Sequence, residues 1–67
     1  MENINILATV QLDDDRGRCE LFWHDGGIYY RSPDGKIEST ETSCGEKNAA
    51  ETIQFAWGGE PWDLQWA

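Results

Sequence analysis

The residues with the widest chemical range in this chain are one histidine, two cysteines and a run of three aspartates. His24 stands where a predicted strand meets a glycine-rich turn. A general base needs a partner placed within hydrogen-bond reach, and nothing in the spacing supplies one, so His24 reads as a strand-end polar residue. Ser32, Ser39 and Ser43 fall in a turn, a strand and a helix cap, and no strained nucleophile turn surrounds any of them. Cys19, His24 and Cys44 lack the paired spacing of a structural zinc site. Asp13-Asp14-Asp15 is acidic enough for a calcium loop but has neither its spacing nor its terminal glutamate. The glycine pairs Gly26-Gly27 and Gly58-Gly59 have no lysine or flanking pattern of a phosphate cradle. The expectation is a protein that is not an enzyme and carries no metal or cofactor.

Charge is the feature that departs furthest from the ordinary. Thirteen acids face five bases, for a formal net charge of −8. The acids are dispersed from Glu2 to Asp63 rather than gathered in a tail, which implies a folded body wrapped in a negative field. Such a field repels nucleic acid and anionic membrane and attracts basic surfaces, although it also serves solubility alone. No apolar run reaches the roughly 20 residues of a membrane span, and Met1-Glu2-Asn3 is not the basic start of a signal peptide. The expected location is the cytoplasm. There Cys19 and Cys44 read as free thiols packing as small apolar groups, with a bridge between them left open.

The elements that must position these residues follow from periodicity. Residues 1–67 make one domain, small enough to bury only about 60% of its unfolded surface. Ile4, Ile6, Ala8, Val10 and Leu12 alternate with Asn5, Leu7, Thr9 and Gln11 and predict a half-buried strand. A second runs from Arg18 to His24 with Cys19, Leu21 and Trp23 on one face. Asp25-Gly26-Gly27 is a tight hairpin signal, and Ile28 to Arg31 returns as a third strand. Ser32-Pro33-Asp34-Gly35 is a type I turn signal leading to a fourth, short strand over Lys36 to Thr40. Ser43 and Glu46 form a capping box for a helix ending at Gly58, whose Ala49, Ala50, Ile53, Ala56 and Trp57 share a face. Trp62, Leu64 and Trp66 alternate, which suits either a short final strand or an extended tail lying on the body. Folding it back past Gly58-Gly59 could put Trp62 or Trp66 over Phe55 on the far side of the helix. The predicted fold is α+β: a four-stranded antiparallel meander packed on one C-terminal α-helix, followed by a short extended Trp-rich C-terminal segment.

On that fold, Phe22 and Tyr29 lie on neighbouring strands facing away from the helix, with Glu20 and Glu38 expected to border them. An aromatic platform could stack bases, but phosphate binding needs a basic groove, so direct nucleic-acid binding is not expected. A protein contact fits better. In length, α+β layout and acidity the chain resembles small phage-encoded inhibitors, anti-CRISPR proteins and other DNA mimics among them. The resemblance implies a non-enzymatic acidic protein that occludes the basic, nucleic-acid-binding surface of a partner, such as a CRISPR effector or another nucleic-acid-processing complex, in the host bacterial cytoplasm. Contacts would come from Asp13, Asp14, Asp15 and Glu20 on one edge, or from Glu38, Glu41, Glu46 and Glu51 on another, with Tyr29 or Phe22 as apolar anchor. The rival reading is a structural or accessory module that self-associates as a homodimer through its exposed sheet face or edge strand.

Overall fold

The computed structural model describes residues 4–13 and 17–67. The strands are β1 (Ile6–Asp13), β2 (Gly17–His24), β3 (Gly27–Arg31), β4 (Ile37–Ser43) and β5 (Gln65–Trp66). A 3-10 turn at Glu46–Asn48 leads into the helix α1 (Ala49–Trp57). The strands form one antiparallel sheet in the order β4-β3-β2-β1-β5. The α+β meander expected from periodicity is therefore the fold, and the tail adds a short strand beside β1.

Turn chemistry sets the register. Asp25 (φ 47°) and Gly26 (φ 86°) both occupy the left-handed region, as a primed two-residue hairpin requires, and His24 pairs with Gly27 across it. The Ser32–Gly35 turn is closed by the Gly35 N–H donating to the Ser32 carbonyl at 2.8 Å.

One sheet face carries the core. Val10, Cys19, Leu21 and Ile28 are fully buried there, with Ala8 and Tyr30 beside them. Above them α1 lays down Ala49, Ile53 and Trp57, spaced i, i+4, i+8. Ala50 and Ala56 were expected on this face and are exposed instead. Each lies about 60° around the axis from Ile53, and the buried stripe is too narrow to include them. Cys44 is a free thiol, so no disulfide ties it to Cys19.

Four local expectations are corrected. In β1, the alternation breaks between Ile6 and Ala8, where a bulge shifts the pairing from Ile6↔Phe22 to Ala8↔Leu21. Ile6 therefore shares the open face with Phe22, while Leu7 packs against the core. In β4, the strand continues past Thr40 to Ser43, because Thr42 pairs with Ile28 and Ser43 with Gly27. The irregularity lies at Thr40–Glu41, where the Thr40 hydroxyl donates to the Ile28 carbonyl at 2.7 Å and Glu41 takes φ 62°. Ser43 is thus committed to the sheet and makes no capping box. The helical region starts at Glu46 after an extended Gly45, and neither Gly45 nor Asn48 makes a side-chain cap hydrogen bond. The indole N–H of Trp23 instead fixes this junction by donating to the Cys44 carbonyl at 2.8 Å. At the helix end Gly58 is not left-handed (φ −75°). Glycine fits there for lack of room, since a Cβ would collide with the carbonyl oxygen and side-chain amide of Gln54.

The tail also takes a different route from the one expected. The Gln11 N–H donates to the Trp62 carbonyl at 2.7 Å, and the Ala67 N–H to the Leu7 carbonyl at 3.0 Å. Trp62 and Leu64 pack against the core, and Trp66 pairs with Ala8. Neither tryptophan covers Phe55, which stays 92% exposed. Backbone groups along β1 offered the tail a ladder of hydrogen bonds that a helix surface cannot.

Candidate interaction surfaces

The sheet face opposite α1 is built from cross-strand rows, because residues paired across strands share a face. One row runs Ile6, Phe22, Tyr29, Ser39; the next runs Thr9, Glu20, Arg31, Ile37. Phe22 and Tyr29 stack with ring centroids 6.0 Å apart, and His24 meets the Tyr29 ring edge-on at 5.7 Å. The two aromatics are on the face expected of them, but Phe22 is only 4% exposed. Packed between its row neighbours, it offers a partner little area, and Tyr29 is the more accessible ring. His24 is exposed, and among the described residues its ring contact is the edge-on one with Tyr29.

This face also carries the arginines of the sheet. Arg31 forms an ion pair with Glu20, its Nη2 2.7 Å and its Nε 2.8 Å from Oε1. Arg18 clasps the tail: its Nε donates to the Thr9 hydroxyl at 3.0 Å and its Nη1 to the Asp63 carboxylate at 3.0 Å. The remaining Nη2 donates to the backbone carbonyls of Thr9 and Asp63. Arg18, Glu20 and Arg31 line an open groove of about 510 Å³ with Ser32 and Pro33. Glu20 is therefore neutralised within the sheet. Glu38 does not border this face as expected; the register pairs it with Tyr30, whose hydroxyl donates to Glu38 Oε1 at 2.8 Å on the helix side.

The two acidic edges fare differently. Asp14 and Asp15 lie outside the described residues, as does the side chain of Asp13, which ends β1. The edge of Asp13, Asp14, Asp15 and Glu20 thus retains one described carboxylate, and that one is paired. Glu38, Glu41, Glu46 and Glu51 are all exposed. They lie on three successive elements: Glu38 and Glu41 on the outer strand β4, Glu46 in the 3-10 turn, and Glu51 on α1. Glu46 borders a recess of about 220 Å³ shared with Asn5, Leu7, Trp23 and Ala49. Glu51 shares the outer helix surface with Asn48, Thr52 and Phe55 around a shallow groove of about 420 Å³. Among the described residues, no ion pair involves Glu38, Glu41, Glu46 or Glu51.

Among the described residues no three histidine, cysteine, aspartate or glutamate side chains converge as metal ligands. No described helix is long and apolar enough to cross a membrane. Two features escaped the sequence reading. One is the clasp of Arg18 on Asp63, 45 residues away, a contact that periodicity cannot signal. Phe55 was correctly set opposite the buried stripe, but its exposure depended on where the tail went. No protein-family model, curated protein or solved structure matches the chain.

Proposed function

We propose that this is a small, non-enzymatic acidic binding protein that occludes a basic, nucleic-acid-binding surface of a partner, in the manner of phage-encoded inhibitors such as anti-CRISPR proteins. The observation that carries this reading is the division of charge. The arginines of β2 and β3 are spent on Asp63 and Glu20, while Glu38, Glu41, Glu46 and Glu51 stay exposed and have no counter-ion among the described residues. A field left negative in this way steers toward basic clefts and away from nucleic acid itself. The partner is a basic protein, a CRISPR effector being one such complex, met in a bacterial cytoplasm.

The test is a pull-down from bacterial lysate at low and high salt with the retained proteins identified by mass spectrometry. A nucleic-acid-binding protein held at low salt, and released by salt or by competing DNA, supports occlusion. Retention that ignores both salt and DNA removes its electrostatic basis. A second reading, self-association through the open sheet face, is favoured by Ile37, 45% exposed in the row next to Tyr29. It predicts a mass that doubles with concentration in sedimentation, with little dependence on salt.

A further inference from the structure

Among the described residues Phe55 is the most exposed large apolar side chain, at 92%, with Trp66 next at 46%. The tail beside it contains three apolar residues that could have covered it, and all three turn to the β1 side of the molecule. Phe55 stands on α1 with Glu51 one turn before it, Thr52 at i−3 and Asn48 at i−7, so the four share a stripe on the outer surface. Among the described residues Glu51 makes no ion pair, although Lys47 lies one turn earlier. The stripe is an apolar prong with an unneutralised carboxylate beside it.

We infer that the outer surface of α1 is the docking face, with Phe55 as its anchor, and that its occupant is a protein surface with an apolar pocket rimmed by lysine or arginine. The inference rests on the proposed occlusion of a basic partner and assigns that function to one face. Charge complementarity selects the occupant. Nucleic acid and anionic bilayers are repelled by Glu51 and by a body of net charge −8. A second copy would bring Glu51 and the same net negative body against itself, and each copy has a single described base, Lys47, within a turn of that carboxylate. A pocket with a basic rim satisfies both groups at once: the ring leaves water, and the carboxylate gains a partner whose attraction strengthens as water is excluded. The open sheet face is a poorer candidate, because its ring Phe22 is already buried and its Glu20 already paired.

The experiment titrates ¹⁵N-labelled protein with two probes: a short helical peptide of leucine and lysine with the leucines on one side, and polylysine of equal length. Amide shifts should centre on residues 48–55 with the first probe. Phe55→Ser should weaken that peptide about tenfold and leave polylysine unchanged, as loss of a buried anchor requires. Glu51→Lys should weaken both. The ring contributes nothing to the core, so Phe55→Ser should keep the wild-type circular dichroism and melting temperature. An unchanged leucine–lysine affinity in Phe55→Ser, or shifts centred on Tyr29 and Ile37, overturns the assignment while salt-sensitive binding of both probes leaves occlusion standing. A wild-type dimer in sedimentation that Phe55→Ser dissociates also overturns it, naming a second copy as the occupant. Failure of both probes to bind at low salt removes the occlusion reading and this inference together.

Discussion

Arg18 joins three parts of the chain that are distant in sequence: its own strand β2, Thr9 on β1 and Asp63 in the tail. Its side chain is about one-third exposed and that of Asp63 about two-thirds, so the ion pair by itself is screened and contributes little. The bonds to Thr9 and to backbone carbonyls add to it. Arg18→Ala should lower unfolding stability by about 1–2 kcal/mol in urea denaturation, and Asp63→Ala by less. A double-mutant cycle should show the two effects to be non-additive, because both remove the same contacts. Ile53 belongs to the opposite extreme. It is fully buried between α1 and the sheet, so Ile53→Ala removes its packing and leaves a cavity, at a cost of about 2–5 kcal/mol. In a domain this small, that loss should appear as a large fall in the thermal midpoint or as outright unfolding.

At the scale of elements, the C-terminal segment is structural. It supplies the backbone partner for Gln11, a strand for β1 and two side chains for the core margin. Removing residues 60–67 should therefore lower the melting temperature and also uncover the β1 edge. An uncovered edge of hydrogen-bonding groups invites pairing with other chains, so the truncated protein should elute as larger species in size-exclusion chromatography. The opposite edge, β4, is protected differently. Glu38, Glu41 and the irregularity at Thr40–Glu41 place charge and a break along it. The β2–β3 hairpin depends on left-handed backbone at Gly26, where a Cβ has free space but an unfavourable φ. Gly26→Ala should cost about 1–2 kcal/mol through backbone strain alone, measured by chemical denaturation.

For the whole molecule, the quantity to follow is the separation of charge. If the protein works by occluding a basic surface, affinity should fall as salt rises, since screening acts beyond about 8–10 Å at 0.1–0.15 M ionic strength. Glu51→Lys and Glu38→Lys should each slow association with a basic partner in stopped-flow or surface-based kinetics. Glu20→Lys affects a different property: it breaks the pair with Arg31 and sets three cations along one groove, which should first appear as lost stability. The net charge alone does not separate these variants. Their order depends on which carboxylates the fold has already neutralised.

The four strands of the meander, the faces of β2 and β3 and the turns between them were legible in the chain because they depend on near neighbours. Alternation in residues 18–24 and 28–31, positive-φ chemistry at Asp25-Gly26 and the proline turn at Pro33 each act within a few residues. The antiparallel meander follows from short connections between them. Tertiary contacts decided the rest. Ser43 went to the sheet because Gly27 was there to pair with it, overriding a local capping signal. Ile6 changed faces through a bulge that no periodicity announces. The tail chose β1 over Phe55 because a strand edge offers directional backbone hydrogen bonds as well as apolar contact. That choice left Phe55 in water, and the site inferred on α1 exists only as a consequence of it. Local physical chemistry writes the elements into the sequence, whereas competition among distant surfaces for the same partners is resolved only when the chain is folded.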